Sequence, residues 1–115
     1  FALHIRRMRS RYRERRAALV DAIRGALGEG FRIVGDQAGM HLVVELPKGL
    51  RDREIAREAA EVELWTMPLS WCYAGRPLKQ GLVLGYGGNT VPEIRAGVRR
   101  LEEVIRSIRG RRTRP

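Results

Sequence analysis

The sequence holds few side chains that could perform chemistry by themselves. Cys72 is the only cysteine, so the chain can form no internal disulfide and has no cysteine spacing typical of a metal site. A nucleophilic thiol needs a neighbouring base, and no motif places His4 or His41 beside it. His41 and Glu45 would share one face of a strand, but two ligands do not make a metal site. We therefore predict neither a catalytic residue nor a metal site.

A glycine cluster, Gly85-Tyr86-Gly87-Gly88, lies between a predicted strand and a predicted helix. A turn of this kind can hold a phosphate at the N-terminus of the helix. The cluster matches neither the G-x-G-x-x-G pattern of dinucleotide-binding folds nor a phosphate-binding loop with its lysine. The favoured interpretation is a tight chain reversal with close backbone packing.

Positive charge is concentrated at the two ends of the chain. The net charge is +10, of which residues 1–16 carry +6 and residues 106–115 carry +5, so the intervening residues carry −1. Clustered arginines could follow a phosphate backbone. No helix-turn-helix spacing, zinc-finger pattern or aromatic stacking platform accompanies them. A basic nucleic-acid-binding module is therefore kept as an alternative hypothesis.

The elements that position these residues follow from hydrophobic periodicity. Apolar residues at helical spacing predict a long helix over residues 3–27 and a second one after Thr90, where Thr90 and Glu93 form a capping box. Carboxylates alternate with arginines over residues 51–63, which is typical of a solvated helix face with i,i+4 ion pairs. The remaining predictions are strands over Phe31–Val34, Met40–Leu46, Val62–Met67 and Leu82–Leu84, an irregular loop over Leu69–Gln80, and a helix over Arg53–Glu61 with Asp52 as its N-cap.

This order of elements predicts an α+β fold, a small and mostly antiparallel sheet with helices packed on one face. We expect one domain over residues 1–109 and a charged, frayed basic tail over 110–115. No stretch approaches the roughly 18 apolar residues of a spanning helix, and no signal peptide is recognisable. We therefore expect a cytoplasmic protein without membrane contact. The chain begins without Met, so we expect it to be one piece of a longer protein.

Four segments follow one another in a specific order and spacing. They are His4-Ile5-Arg6-Arg7-Met8-Arg9 with Tyr12, Arg15 and Arg16; Ala38-Gly39-Met40-His41-Leu42-Val43-Val44-Glu45-Leu46-Pro47; Met67-Pro68-Leu69-Ser70; and Gly81-Leu82-Val83-Leu84-Gly85-Tyr86-Gly87. Together they resemble the last subdomain of MocR-type transcriptional regulators of the GntR superfamily, over residues 3–106. The resemblance implies the fold of the C-terminal subdomain of fold-type I transferases, which depend on pyridoxal 5′-phosphate (PLP).

The resemblance also implies a larger parent protein. Such regulators join an N-terminal winged helix-turn-helix DNA-binding domain to an aminotransferase-like, PLP-binding domain, and we expect a homodimer. The Schiff-base lysine and the phosphate-binding residues would lie in a large subdomain before Phe1, because neither Lys48 nor Lys79 lies in a matching motif. This chain would bind no PLP by itself. It would supply the edge of an effector pocket, formed by Ala38, Gly39, Met40, Pro68, Leu69 and Ser70.

One departure from the family pattern bears on function. Related aminotransferases carry an arginine on the strand that matches Leu82–Leu84, where it forms a bidentate pair with the substrate carboxylate. Val83 occupies that position here, and an aliphatic side chain cannot make this contact. We therefore interpret the parent as an effector-sensing regulator, with a PLP-dependent aminotransferase as the alternative. The chain alone is expected to be inactive, and transaminase chemistry in the parent is left open.

Overall fold

A computed structural model describes residues 2–35 and 40–113, with side chains at residues 11–35 and 40–111. The first and last elements are long helices, and a shorter helix lies between them in the sequence. The helices are α1 (Ala2–Ala26), α2 (Asp52–Glu61) and α3 (Val91–Thr113); the strands are β1 (Arg32–Val34), β2 (His41–Glu45), β3 (Met67–Pro68) and β4 (Gly81–Gly85); a 3₁₀ turn, Leu69–Cys72, follows β3 directly. No helix of the described residues is long and apolar enough to cross a membrane.

The strands form one antiparallel sheet in the order β1-β2-β4-β3. β2 and β4 are central, with Val43 opposite Val83, and Met67 of β3 lies opposite Val83 on the other side. Ile33 of β1 pairs with Val44. The predicted α+β fold with a small antiparallel sheet is therefore confirmed.

Strand alternation divides the sheet into two unlike faces. Leu42, Val44, Leu82 and Leu84 are buried, and they form one core with the apolar sides of α1 and α3, which also pack against each other. Each large aliphatic side chain buried there stabilises the fold by roughly 1.5–3 kcal/mol. The helices contribute, among others, Leu19, Ile23, Val98, Leu101 and Ile105. The opposite face of the sheet is left open by α1 and α3.

The predicted strand over Val62–Met67 is wrong for most of its length. α2 ends at Glu61, and two residues later Glu63 adopts a left-handed conformation with a φ of 61°. The backbone N–H of Glu63 donates to the oxygen of Ala60, and that of Leu64 donates to the oxygen of Ala59. This is a Schellman closure, which usually places glycine at the left-handed position. Because glutamate stands there instead, the sequence carried no signal for the turn, and only Met67–Pro68 is extended.

The end of α3 also differs from the prediction, since the helix continues past residue 109 to Thr113. The guanidinium of Arg109 lies 5.4 Å from the centre of the Phe31 ring, within cation–π range. Arg111 forms an ion pair with Glu58 of α2. Arg111 therefore has a partner in another helix, although composition alone assigned it to a frayed tail.

Candidate ligand site

An open groove of about 610 Å³ lies on the sheet face that α1 and α3 leave uncovered. Its floor includes His41 of β2, Val83 of β4 and Met67 of β3, and α2 forms one side. The ring of His41 fits there because its strand partner Gly85 has no side chain: a Cβ at Gly85 would lie 3.2 Å from His41 Cδ2. This volume falls within the range of small-molecule sites.

Large apolar side chains of the groove are exposed to solvent. Trp65 is 83% exposed, Trp71 is 63% exposed and Met67 is 41% exposed. All three line the open groove. A cluster of exposed aromatic residues beside a concave surface indicates a binding site or an interface.

The charges of α2 are divided between two sides of the helix. Arg53 and Arg57 are one turn apart and line the open groove. On the side toward α3, a hydrogen bond to Glu58 raises the pKa of the Arg111 guanidinium, and the charges of Glu54 and Glu61 raise it further. Glu58 thus lies toward α3, where it forms an ion pair with Arg111 between the two helices. The i,i+4 spacing within α2 gave no indication of this contact.

Asp52 is not the N-cap that the sequence predicted. Arg51 occupies that position, and Asp52 begins the helix as a fully buried residue. Its carboxylate accepts the backbone N–H of Ser70 (2.8 Å), the hydroxyl of Ser70 (2.7 Å) and the backbone N–H of Gly81 (3.2 Å). The backbone N–H of Asp52 donates to Oε1 of Gln80 at 2.8 Å. We call this set the Asp52 junction; it joins α2, the 3₁₀ turn and the start of β4.

The predicted pocket-edge residues that the structure describes do not lie together. Ala38 and Gly39 are outside the described residues. Met40 lies against Gly87, where a Cβ would be 3.1 Å from Met40 Sδ. Pro68 is buried opposite Leu82 of β4, Leu69 is half-buried, and Ser70 belongs to the Asp52 junction. Met40 and Ser70 are therefore near opposite ends of β4, about 13 Å apart along a five-residue strand.

The residues that do line the open groove are sequence neighbours of the predicted ones. His41 follows Met40, Met67 precedes Pro68, and Trp71 follows Ser70. Strand alternation explains the offset along β3, because Pro68 points to the buried face and Met67 to the open one. The alternation of buried Leu42 and Val44 in the sequence could have placed His41 on the open face.

The glycine cluster behaves as a packing turn. Tyr86 is buried, and its N–H donates to the backbone oxygen of Met40 at 3.0 Å. The backbone oxygen of Gly87 accepts a hydrogen bond from Arg15 Nη1 at 2.5 Å. At the start of α3, Thr90 N–H donates to the Glu93 carboxylate (2.9 Å) and Glu93 N–H donates to the Thr90 hydroxyl (3.3 Å). The predicted capping box is confirmed, and a carboxylate of the chain itself already occupies this helix N-terminus.

The two lysines are exposed and lie away from the open groove. Lys79 lies 3.4 Å from the Glu45 carboxylate on an exposed edge, and Lys48 is an exposed residue of the turn before α2. A Schiff-base site needs a lysine within the pocket, and neither lysine lines the open groove. Cys72 is exposed. Within residues 11–35 and 40–111, no three His, Cys, Asp or Glu side chains are grouped as a metal site would require.

The sequence is similar to those of transcriptional regulators. It is 34% identical over 99 residues to the uncharacterized HTH-type transcriptional regulator YhdI of Bacillus subtilis, covering 86% of this chain and 21% of YhdI. It is 34% identical over 105 residues to the probable rhizopine catabolism regulatory protein MocR of Rhizobium meliloti, covering 91% of this chain and 21% of MocR. The resemblance to MocR-type regulators is confirmed. The chain spans about a fifth of the length of these relatives, and no family model matches it.

The fold is similar to part of a fold-type I aminotransferase. The crystal structure of LysN, an α-aminoadipate aminotransferase from Thermus thermophilus, matches with a TM-score of 0.85 and 28% sequence identity. The match covers 96% of this chain and 28% of LysN. The MocR-like chain therefore has an aminotransferase-like subdomain fold.

Proposed function

We propose that this chain is the C-terminal subdomain of a PLP-dependent, effector-sensing transcriptional regulator. In this proposal it forms one wall of the effector site and contributes no catalytic residue. The observation that carries the proposal is the open groove, with exposed tryptophans at its side and Val83 on its floor. Similarity to HTH-type regulators supports the regulatory role.

Val83 favours sensing over transamination. It is half-buried, lies between Val43 and Met67 in the sheet, and lines the groove. By the family resemblance, an aminotransferase places at this point the guanidinium that orients the substrate carboxylate. An aliphatic floor gives no bidentate hydrogen bond, so a bound amino acid would lack the orientation that transamination requires.

The remaining parts of the proposed regulator belong to the parent protein. A large subdomain would supply the PLP lysine and the phosphate-binding residues, and an N-terminal winged helix-turn-helix domain would bind DNA. We propose a homodimer located in the cytoplasm. The pocket-edge roles of Ala38, Gly39, Met40, Pro68, Leu69 and Ser70 belong to this proposal, as segments that would adjoin the large subdomain at the mouth of the site.

A second candidate is a plain PLP-dependent aminotransferase, which the similarity to LysN favours. DNA binding by the purified parent protein distinguishes the two. We expect the parent to bind a duplex taken from upstream of its own gene, and we expect PLP to change the affinity. This chain alone, in the same gel-shift assay near physiological salt, should not bind.

Two results would contradict the proposal. A parent that lacks DNA binding and transaminates amino acids at enzyme rates would support the aminotransferase. A chain that binds duplex DNA as tightly as its parent, with a steep salt dependence, would support the basic nucleic-acid-binding module.

A further inference from the structure

The open groove combines positive charge with an apolar lining. Arg53 and Arg57 of α2 meet it from one side, and Trp65, Met67 and Trp71 are exposed within it. Glu58 of α2 pairs with Arg111 of α3 instead, and Glu54 lies beside Arg53 and Arg57 on the neighbouring surface. Among the described residues, no Asp or Glu lines the groove itself, so the charged side chains of α2 that an anion would meet there are Arg53 and Arg57.

The two arginines differ in the hydrogen bonds that they form within the protein. Nε of Arg53 donates to the hydroxyl of Ser70 at 3.2 Å, which attaches this side chain to the Asp52 junction. Arg57 forms no hydrogen bond or ion pair within residues 11–35 and 40–111. It is also exposed. Its guanidinium therefore keeps its hydrogen-bond donors available for a ligand.

A second polar group of the groove also lacks a partner. The Oγ1 atom of Thr66 is buried and hydrogen-bonds to none of the described residues, and Thr66 lines the groove. A buried hydroxyl without a hydrogen bond is unfavourable. This oxygen is enclosed by protein, so it marks an unsatisfied position in the wall of the groove and is not a direct ligand contact.

From these observations we infer that the groove binds a small carboxylic acid with an apolar body, and that Arg57 binds its carboxylate. This inference rests on the proposed function, because the same groove would be the wall of the effector site. The apolar body would lie between Trp65, Met67 and Trp71. The carboxylate would be held from α2, since Val83 leaves β4 without a guanidinium.

The test uses the purified full-length parent and two probes of nearly equal shape, 3-phenylpropionate and its neutral amide, 3-phenylpropanamide. Isothermal titration calorimetry measures the affinity of each. We expect the wild type to prefer the acid by about tenfold or more, as a charge-assisted pair provides. Arg57→Gln should abolish the preference while the affinity for the amide is unchanged, and Arg57→Lys should restore part of it.

Arg99→Gln is the matched control, because it removes the same charge from an exposed position on α3 that does not line the groove. It should keep the wild-type preference. A wild type without preference for the acid, whether it binds both probes or neither, would overturn the inference. So would a preference that survives in Arg57→Gln.

The PLP content of each sample, measured from its absorbance, separates the two proposals. A parent that contains PLP but shows no preference for the acid defeats only the inference about Arg57. A parent that never binds PLP defeats the proposed function. If Arg57→Gln has no effect on probe binding and only lowers the thermal stability of the parent, an acidic segment of the parent occupies the groove, and the inference is overturned.

Discussion

Among single residues, Asp52 determines how several segments meet. A buried carboxylate is unfavourable unless it is fully hydrogen-bonded, and three donors from Ser70 and Gly81 satisfy it here. Gly81 contributes through its size as well, because a Cβ there would lie 3.0 Å from the backbone oxygen of Val44 and 2.9 Å from Leu69 Cδ2. The Asp52 junction therefore depends on both a charge and the absence of a side chain.

Asp52→Ala tests this role. Without the carboxylate, the buried backbone N–H groups of Ser70 and Gly81 would have no acceptor. We expect a loss of about 1.5–3 kcal/mol in the free energy of unfolding, measured by urea denaturation of this chain. Asp21→Ala, at an exposed position of α1, should change the stability little. Equal effects of the two substitutions would contradict the proposed importance of the junction.

Among the elements, α3 has the N-terminus that the sequence predicts best. Hydrogen bonding to Thr90 holds the pKa of the Glu93 carboxyl below its ordinary value. The backbone N–H of Thr90 has the largest effect, and its hydroxyl has the next largest. A carboxyl whose pKa is lower in the folded state stabilises the fold above its unfolded pKa. This stabilisation is lost as the pH falls through the folded pKa.

Glu93→Gln separates charge from hydrogen bonding at this helix start, because glutamine can still complete a capping box. We expect the variant to be less stable than the wild type at pH 7. The difference should shrink as the pH falls from about 5 to about 3. The urea midpoint at each pH gives the measurement, with Glu103→Gln, an exposed position in the middle of α3, as the control. A difference that does not vary with pH would refute the role of charge.

The arginines of α1 are less available for nucleic-acid binding than their number suggests. The arginine-rich sequence suggested a surface for nucleic acid, yet Arg15 donates to the backbone oxygen of Gly87. Nε of Arg16 is buried and hydrogen-bonds to none of the described residues. At least one arginine of this helix thus joins α1 to the turn after β4, and its charge is not simply available to a phosphate backbone.

For the molecule as a whole, one apolar core joins the sheet to α1 and α3, and in the proposed function the open groove is one wall of the ligand site. The two lysines of the chain are exposed and lie away from the groove. We therefore predict that this chain, incubated with PLP and reduced with borohydride, gives no stoichiometric adduct at a single lysine. The full-length parent should give one. Mass spectrometry of proteolytic peptides provides the measurement. A unique adduct at Lys48 or Lys79 in this chain would contradict the assignment of the PLP lysine to the large subdomain of the parent.

The molecule also exposes several large apolar side chains to solvent. Trp65, Trp71 and Leu78, which is 85% exposed, leave apolar surface in water that a partner would cover. Within residues 11–35 and 40–111, this surface lies on the open face of the sheet and in the loop after the 3₁₀ turn, and the core takes up Leu19, Val20 and Ile23 of α1 with the apolar side of α3.

The sequence by itself determined the elements whose signals are local. The apolar periodicity of α1 and α3, the capping box at Thr90, the glycines that end β4 and the order of elements all follow from neighbouring residues, and with them the α+β fold. The position of Val83 on a strand was determined in the same way. These features depend on backbone preferences and on side chains within one turn or one strand of each other.

Only the tertiary structure decided which residues share the groove. Arg57, Trp71 and His41 are far apart in sequence, and no local pattern links them. The burial of Asp52 likewise depends on Ser70 and Gly81, which are 18 and 29 residues away. Local signals fix where a helix begins, but the free energy of burying a charge depends on which donors the fold brings to it. The groove is a property of that assembly, which is why sequence reasoning named residues adjacent to the groove and not the ones that line it.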